Sequence, residues 1–100
     1  MGSREFAHST GTRRPDGRYV VARRGASSSG HRKVFDSFEA LEGLYRNLPP
    51  EMTAADVEQR AQGLTGSRRH LLLWHFLEHP RFECVLESRQ PLMVRKRDTD

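Results

Sequence analysis

The longest uninterrupted apolar run in this hundred-residue chain is Leu71-Leu72-Leu73-Trp74. A bilayer-spanning helix needs about 18–20 consecutive apolar residues, so no segment is predicted to cross a membrane. The chain is about one domain long, and 35% apolar against 30% charged residues implies one small core with loose ends. No charged-then-apolar leader opens the sequence, so no secretory signal is expected. Cys84 is the single cysteine and cannot form an intramolecular disulfide, which makes the cytoplasm the expected compartment.

Charge is distributed unevenly. Residues 1–35 hold eight Arg/Lys and two acids, residues 36–62 hold two Arg and six acids, and residues 63–100 hold seven basic and five acidic groups. Clustered cations displace counterions from phosphate, so two basic flanks around an acidic middle fit a chain that meets a polyanion. A solvated basic surface with no such partner is the plainer alternative.

The opening Met1-Gly2-Ser3 reads as a cloning remnant, and residues 1–17 are expected to form a flexible lead-in rich in Gly, Ser, Thr, Pro and Arg. Residues 18–97 are expected to form the domain, and 98–100 a polar tail. After the turn-like Arg14-Pro15-Asp16-Gly17, two extended runs, Tyr19–Arg24 and His31–Phe35, flank the breaker Gly25–Gly30 and predict a hairpin. A first helix is expected from Asp36 as cap, with Glu39 completing a capping box; Phe38, Leu41, Leu44, Tyr45 and Leu48 form its apolar stripe before Pro49-Pro50. A second begins at Thr53, with Asp56 at the third position and Met52 packing on Val57, and fades near Gly63. A third runs from about Gly66 to Glu78 after a cap at Thr65. Alternation through Phe82, Cys84 and Leu86, then Leu92–Arg95, predicts a second hairpin.

The resulting fold class is α+β: an N-terminal hairpin, three helices and a C-terminal hairpin, in the order of a winged helix-turn-helix. In that arrangement Ser67, Arg68 and Arg69 would open the helix that meets the major groove. Arg89 at the hairpin tip and Arg95, Lys96 and Arg97 beyond it would contact the backbone. Leu71 and Trp74 lie on the face that should then be polar, so they need a cover: either the first hairpin, through Tyr19, Val21 and Phe35, or a second copy of the chain. Arg23, Arg24, Arg32 and Lys33 offer a second phosphate-binding surface on the N-terminal hairpin. That hairpin and the helix after it resemble the sheet-plus-helix DNA-binding modules of the phage-integrase arm type.

Catalysis and metal binding are less well supported. His75 and His79 are four apart on a helix and Cys84 follows, but His70 points elsewhere and no paired cysteine or acidic third ligand is present, so no metal site is expected. Cys84 occupies an inward strand position, where a thiol is inert. No carboxylate pair, phosphate-binding glycine loop or nucleophile elbow occurs, so neither cofactor nor small-molecule substrate is expected.

The segments Arg14–Val21, Arg24–Gly25–Ala26 through Gly30–Phe38, and Gly63–His70 through Glu78-His79-Pro80 are similar to an uncharacterised family of small haloarchaeal proteins. That resemblance spans about residues 12 to 97 and implies no activity or site residue. The functional expectation is a non-enzymatic, double-stranded DNA-binding transcriptional regulator. The alternative is a protein-interaction or homodimerisation module, joined through Leu71 and Trp74, whose basic surface is incidental.

Overall fold

A computed structural model describes residues 9–24, 31–61, 64 and 66–97. Expectations for residues 1–8, the breaker 25–30, Gly63, the Thr65 cap, the Ser67 side chain and the tail 98–100 lie outside the described structure. The elements run β1 (Ser9–Arg13), β2 (Tyr19–Arg23), β3 (Arg32–Phe35), α1 (Phe38–Asn47), β4 (Glu51–Thr53), α2 (Ala54–Arg60), α3 (Ser67–Glu78), β5 (Cys84–Arg89) and β6 (Leu92–Lys96). The architecture is α+β, with three helices and two small antiparallel sheets.

Both expected hairpins form, but each gains a third strand. In the N-terminal sheet the order is β1-β2-β3, with Ser9 opposite Arg23 and Tyr19 opposite Phe35. Ser9–Arg13, within the expected lead-in, forms strand β1. These residues carry no apolar side chain, yet their backbone pairs along the whole of β2. The turn between them closes at Gly17, whose φ of 94° suits a residue without Cβ, and the Asp16 carboxylate accepts the Arg18 amide at 3.0 Å.

In the C-terminal sheet the order is β4-β6-β5. Residues Glu51–Thr53 pair with Met93–Arg95, a strand too short for a sequence pattern to announce. The β5–β6 register slips between Leu86 and Ser88, a bulge that contains Glu87.

Helix α1 is capped one residue later than expected: Ser37, not Asp36, accepts the Ala40 amide at 3.1 Å. It stops at Leu48, which is extended as a residue before proline prefers to be. At α2 the expected capping box is present, with the Asp56 carboxylate accepting the Thr53 amide at 2.9 Å and its hydroxyl at 3.1 Å. Met52 and Val57, the proposed staple, are both fully buried.

Helix α3 organises the core. It packs against α2, against all three strands of the N-terminal sheet, and against β5 and β6. Leu72, Leu73 and Phe76 are essentially inaccessible, and they share one cluster with Tyr19, Leu41 and Val94. A helix gripped by two sheets needs apolar residues around most of its circumference, which accounts for the absence of a clean polar face.

Candidate nucleic-acid interface

The contact between α3 and the N-terminal sheet is polar at its centre. His75 is buried, with Nε2 2.9 Å from the Tyr19 hydroxyl and Nδ1 3.3 Å from Ser9 Oγ. Glu78 accepts both the Ser9 amide, at 3.0 Å, and the Ser9 hydroxyl, at 3.2 Å. With the serine proton committed to Glu78, the consistent arrangement has Nδ1–H donating to Ser9 and Nε2 accepting from Tyr19. That imidazole is neutral, and burial holds its pKa down at about 4.

Both His75 nitrogens are thus engaged in hydrogen bonds. The Cys84 thiol donates to the Phe76 carbonyl at 3.2 Å, and burial pushes its pKa up to about 11. Groups with these partners and pKa values suit packing better than metal ligation or nucleophilic attack. Among the described residues no cluster of His, Cys, Asp and Glu has metal-binding geometry.

Beside this polar joint the two sheets leave a groove of about 830 Å³ over α3. Its floor carries His70, Leu71 and Trp74; Arg23 and His31 line it from the N-terminal sheet, and Arg89 through Leu92 from the tip of the C-terminal hairpin. The Arg89 guanidinium stands over the Trp74 indole, 5.6 Å from the ring centroid. His31 Nδ1 is buried and has no hydrogen-bond partner among the described residues.

The cations named from the sequence separate into three groups. Arg23 and Arg89 come together at this groove. On the N-terminal sheet Arg32 is exposed, Arg24 is exposed and engaged, and Lys33 lies half-buried with its ammonium 5.8 Å from the Phe35 ring centroid. None of Arg13, Arg14, Arg23, Arg32 and Lys33 forms an ion pair among the described residues.

Of the remaining cations, Arg69, Arg95 and Lys96 are committed within the fold. Arg69 pairs with Glu58 at 2.9 Å and also donates to the Gly66 carbonyl. Arg95 is held by Glu87 at 2.7 Å. Lys96 donates to the Leu48 carbonyl at 2.7 Å and lies 4.8 Å from the Tyr45 centroid. Arg97 is exposed, and its amide donates to the Glu83 carbonyl. Arg95, Lys96 and Arg97 follow β6 away from the hairpin tip, so they do not join Arg89 in one surface. Ser67 and Arg68 open α3, with Arg68 half-buried.

Leu71 is buried within the chain itself, in the cluster that contains Tyr19, Val21 and Phe35, and Trp74 packs against that cluster. Intramolecular cover therefore accounts for Leu71, which has little surface to offer a second copy. Sequence reasoning missed His31 and His70 as groove residues. His70 was legible in principle, since it precedes Trp74 by one helical turn, whereas His31 reaches the groove only through the pairing of β2 with β3.

The chain belongs to a family of unknown function, DUF7528, whose profile matches residues 1–96. No curated protein and no solved structure matches it.

Proposed function

We propose that this member of the family is a non-enzymatic nucleic-acid-binding protein that engages duplex DNA in a regulatory role. The observation that carries the reading is the charge imbalance of the N-terminal sheet. Residues 9–35 contain seven Arg/Lys and one acid, Asp16, and Arg13, Arg14, Arg23, Arg32 and Lys33 form no ion pair among the described residues. Arginines left unneutralised on one sheet are available to phosphate, and the energy of such contacts comes from released counterions. The N-terminal sheet is then the principal phosphate-binding element, with Arg32 on its outer face beside exposed Val34, and Arg23 and Lys33 on the opposite face, where Arg23 shares the groove margin with Arg89.

The topology supports a winged-helix-like arrangement. From α1 onward the order is α-β-α-α-β-β, and the short strand between the first two helices joins the hairpin beside its last strand. In this chain, however, the N-terminal sheet packs on α3, so deep insertion of that helix into a groove would require the sheet to move. Arg68, in the first turn of α3, is the base-contacting candidate.

The alternative, an interaction module joined through an apolar face, draws little support. Among the described residues Val34, 38% exposed, is the single exposed large apolar side chain.

The decisive experiment is binding of the full chain to random duplex DNA across a salt series. Tight binding at low salt with a steep loss by moderate salt is expected; no binding at low salt overturns the reading.

A further inference from the structure

We propose that the groove over α3 is a phosphomonoester site, in which the guanidinium groups of Arg23 and Arg89 and the imidazoles of His31 and His70 hold a terminal phosphate. The proposal does not require the duplex reading, because the recognised group is a single terminal phosphate rather than a backbone lying along the sheet.

The four side chains reach the groove from separate elements. Tyr19, Val21 and Arg23 share the face of β2 that meets α3, so Arg23 continues that face beyond its buried pair. His31 continues the β2–β3 register opposite Arg23, since Ala22 is paired with Arg32, and it lines the same groove. On the other side His70 precedes Trp74 by one turn of α3, and the Arg89 guanidinium lies 5.6 Å from the indole centroid. Two basic groups from the sheet thus converge with one from the helix and one from the hairpin tip.

These groups are little committed elsewhere. The side chains of Arg23 and His70 form no hydrogen bond or ion pair among the described residues. Arg89 covers Trp74, yet a cation–π contact leaves most guanidinium N–H groups to other acceptors, and no carboxylate takes them among the described residues. His31 Nδ1 is buried without a partner among those residues. Unsatisfied buried nitrogens are rare, and a bound ion is one of the few things that account for them. No Asp or Glu lines the groove, so nothing in its walls neutralises the two arginines.

Geometry selects phosphate among anions. A carboxylate presents its oxygens in one plane, which a single guanidinium can saturate, whereas a terminal phosphate offers oxygens around a tetrahedron to donors arriving from different walls. The groove's volume of about 830 Å³ lies in the range of small-molecule sites and exceeds what a phosphate group fills, so the ligand carries an organic body. A free phosphorylated metabolite and the 5′ end of a nucleic-acid strand both present that group, and the experiment separates them.

The full chain, with its histidines labelled with a nitrogen isotope, is titrated at about pH 7.5, where a phosphomonoester is largely dianionic. The probes are inorganic phosphate, glucose 6-phosphate, glucose, and acetate at matched ionic strength, and the imidazole signals are assigned with His31→Gln and His70→Gln. Phosphate and glucose 6-phosphate should shift His31 and His70 saturably in the millimolar range, glucose and acetate should not, and buried His75 should stay unmoved. Arg23→Ala and Arg89→Ala, both at exposed positions, should each weaken glucose 6-phosphate about tenfold, while Arg95→Ala should change nothing, since Glu87 holds that side chain away from the groove. Arg89→Lys, which keeps the charge but not the fork, should recover part of the loss.

Two duplexes of one sequence, with and without a 5′ phosphate, distinguish the sources. A preference for the phosphorylated duplex, with shifts at the same two imidazoles, assigns the site to strand ends; glucose 6-phosphate binding without that preference assigns it to a free metabolite. Equal shifts with acetate, shifts unchanged in both arginine variants, or no saturation overturn the proposal and show only a diffuse ion atmosphere. Inorganic phosphate binding alone overturns the phosphomonoester assignment. Duplex binding is scored by its own salt series, so the two readings stand or fall separately.

Discussion

The hydroxyl of Tyr19 on β2 and Nε2 of His75 on α3 lie 2.9 Å apart in the interior, joining the N-terminal sheet to the central helix through one buried hydrogen bond. The same imidazole reaches Ser9 on β1 from its other nitrogen. Two strands of the basic sheet are thereby set against α3 by a single side chain, and the wall of the groove that Arg23 provides depends on that joint.

Stability should fall as pH drops from about 6.5 to about 4. His75 has a native pKa of about 4, held down chiefly by burial and further by His79. Between that value and the unfolded 6.5, the unfolded chain takes up a proton that the native chain refuses, so the stabilisation present above pH 6.5 is progressively lost on acidification. At about 1.4 kcal/mol per pH unit over that interval, the loss approaches about 3 kcal/mol. His79 is also shifted down, first by burial, and contributes in the same direction. Urea unfolding across this pH range should show the slope, and His75→Gln should flatten most of it. An unchanged slope in the variant would assign the effect to other groups.

Gly11 should tolerate no side chain. A Cβ there would strike the Tyr19 hydroxyl and come within 2.7 Å of His75 Cε1. Gly11→Ala must therefore push β1 outward or break the Tyr19–His75 bond, at a cost of about 1–3 kcal/mol. A lowered melting temperature with faster amide exchange confined to β1 and β2 is the expected result, whereas Gly43→Ala, with open space around its Cβ, should be neutral or stabilising as a helix-interior substitution.

Lys96 should matter for folding and hardly at all for nucleic acid. Its ammonium donates to the Leu48 carbonyl and lies over Tyr45, anchoring the end of β6 to the end of α1. Lys96→Ala is expected to lower stability by about 1–3 kcal/mol in denaturant unfolding. Lys96→Met, which keeps the packed stem, should recover part of that loss. Neither change should alter the salt dependence of DNA binding.

Local chemistry made much of this fold legible. The Thr53–Asp56 capping box, the stripe of α1 and the alternation from Phe82 to Leu86 each follow from short-range rules that a few residues suffice to express. The two missed strands fail those rules for opposite reasons. Ser9–Arg13 has no apolar residue to announce a buried face, because its contribution is backbone pairing, a serine hydroxyl and a glycine that makes room. Glu51–Thr53 is three residues long, and its partner in β6 begins some forty positions later. The candidate site suffered from the same distance problem. A helical wheel puts Leu71 and Trp74 on the outer side of α3, but only tertiary pairing reveals that strands from both ends of the chain wall that side. Arginine counts likewise could not tell Arg95, neutralised across the bulge by Glu87, from Arg32, which has no such partner among the described residues.

That last distinction gives the sharpest test among the basic residues. If the N-terminal sheet holds the duplex, Arg23→Ala and Arg32→Ala should each reduce the salt slope of binding by about one unit and weaken all sequences alike, since phosphate contacts carry no base information. Arg95→Ala should do much less, because its guanidinium is already engaged by Glu87 at 2.7 Å and binding phosphate would first require that pair to open. Arg68 occupies a different position, in the first turn of α3, where the proposed reading puts base contacts. On a selected site Arg68→Ala should cost about 1–3 kcal/mol, with little effect on random duplex. Measured together, the four variants separate three geometries. Losses at Arg23 and Arg32 alone make the sheet a non-specific clamp. Losses there plus a sequence-dependent loss at Arg68 make α3 a reader held in place by the sheet. A dominant loss at Arg95 would mean that the duplex lies along β6, and that the sheet's unneutralised arginines are not the binding surface.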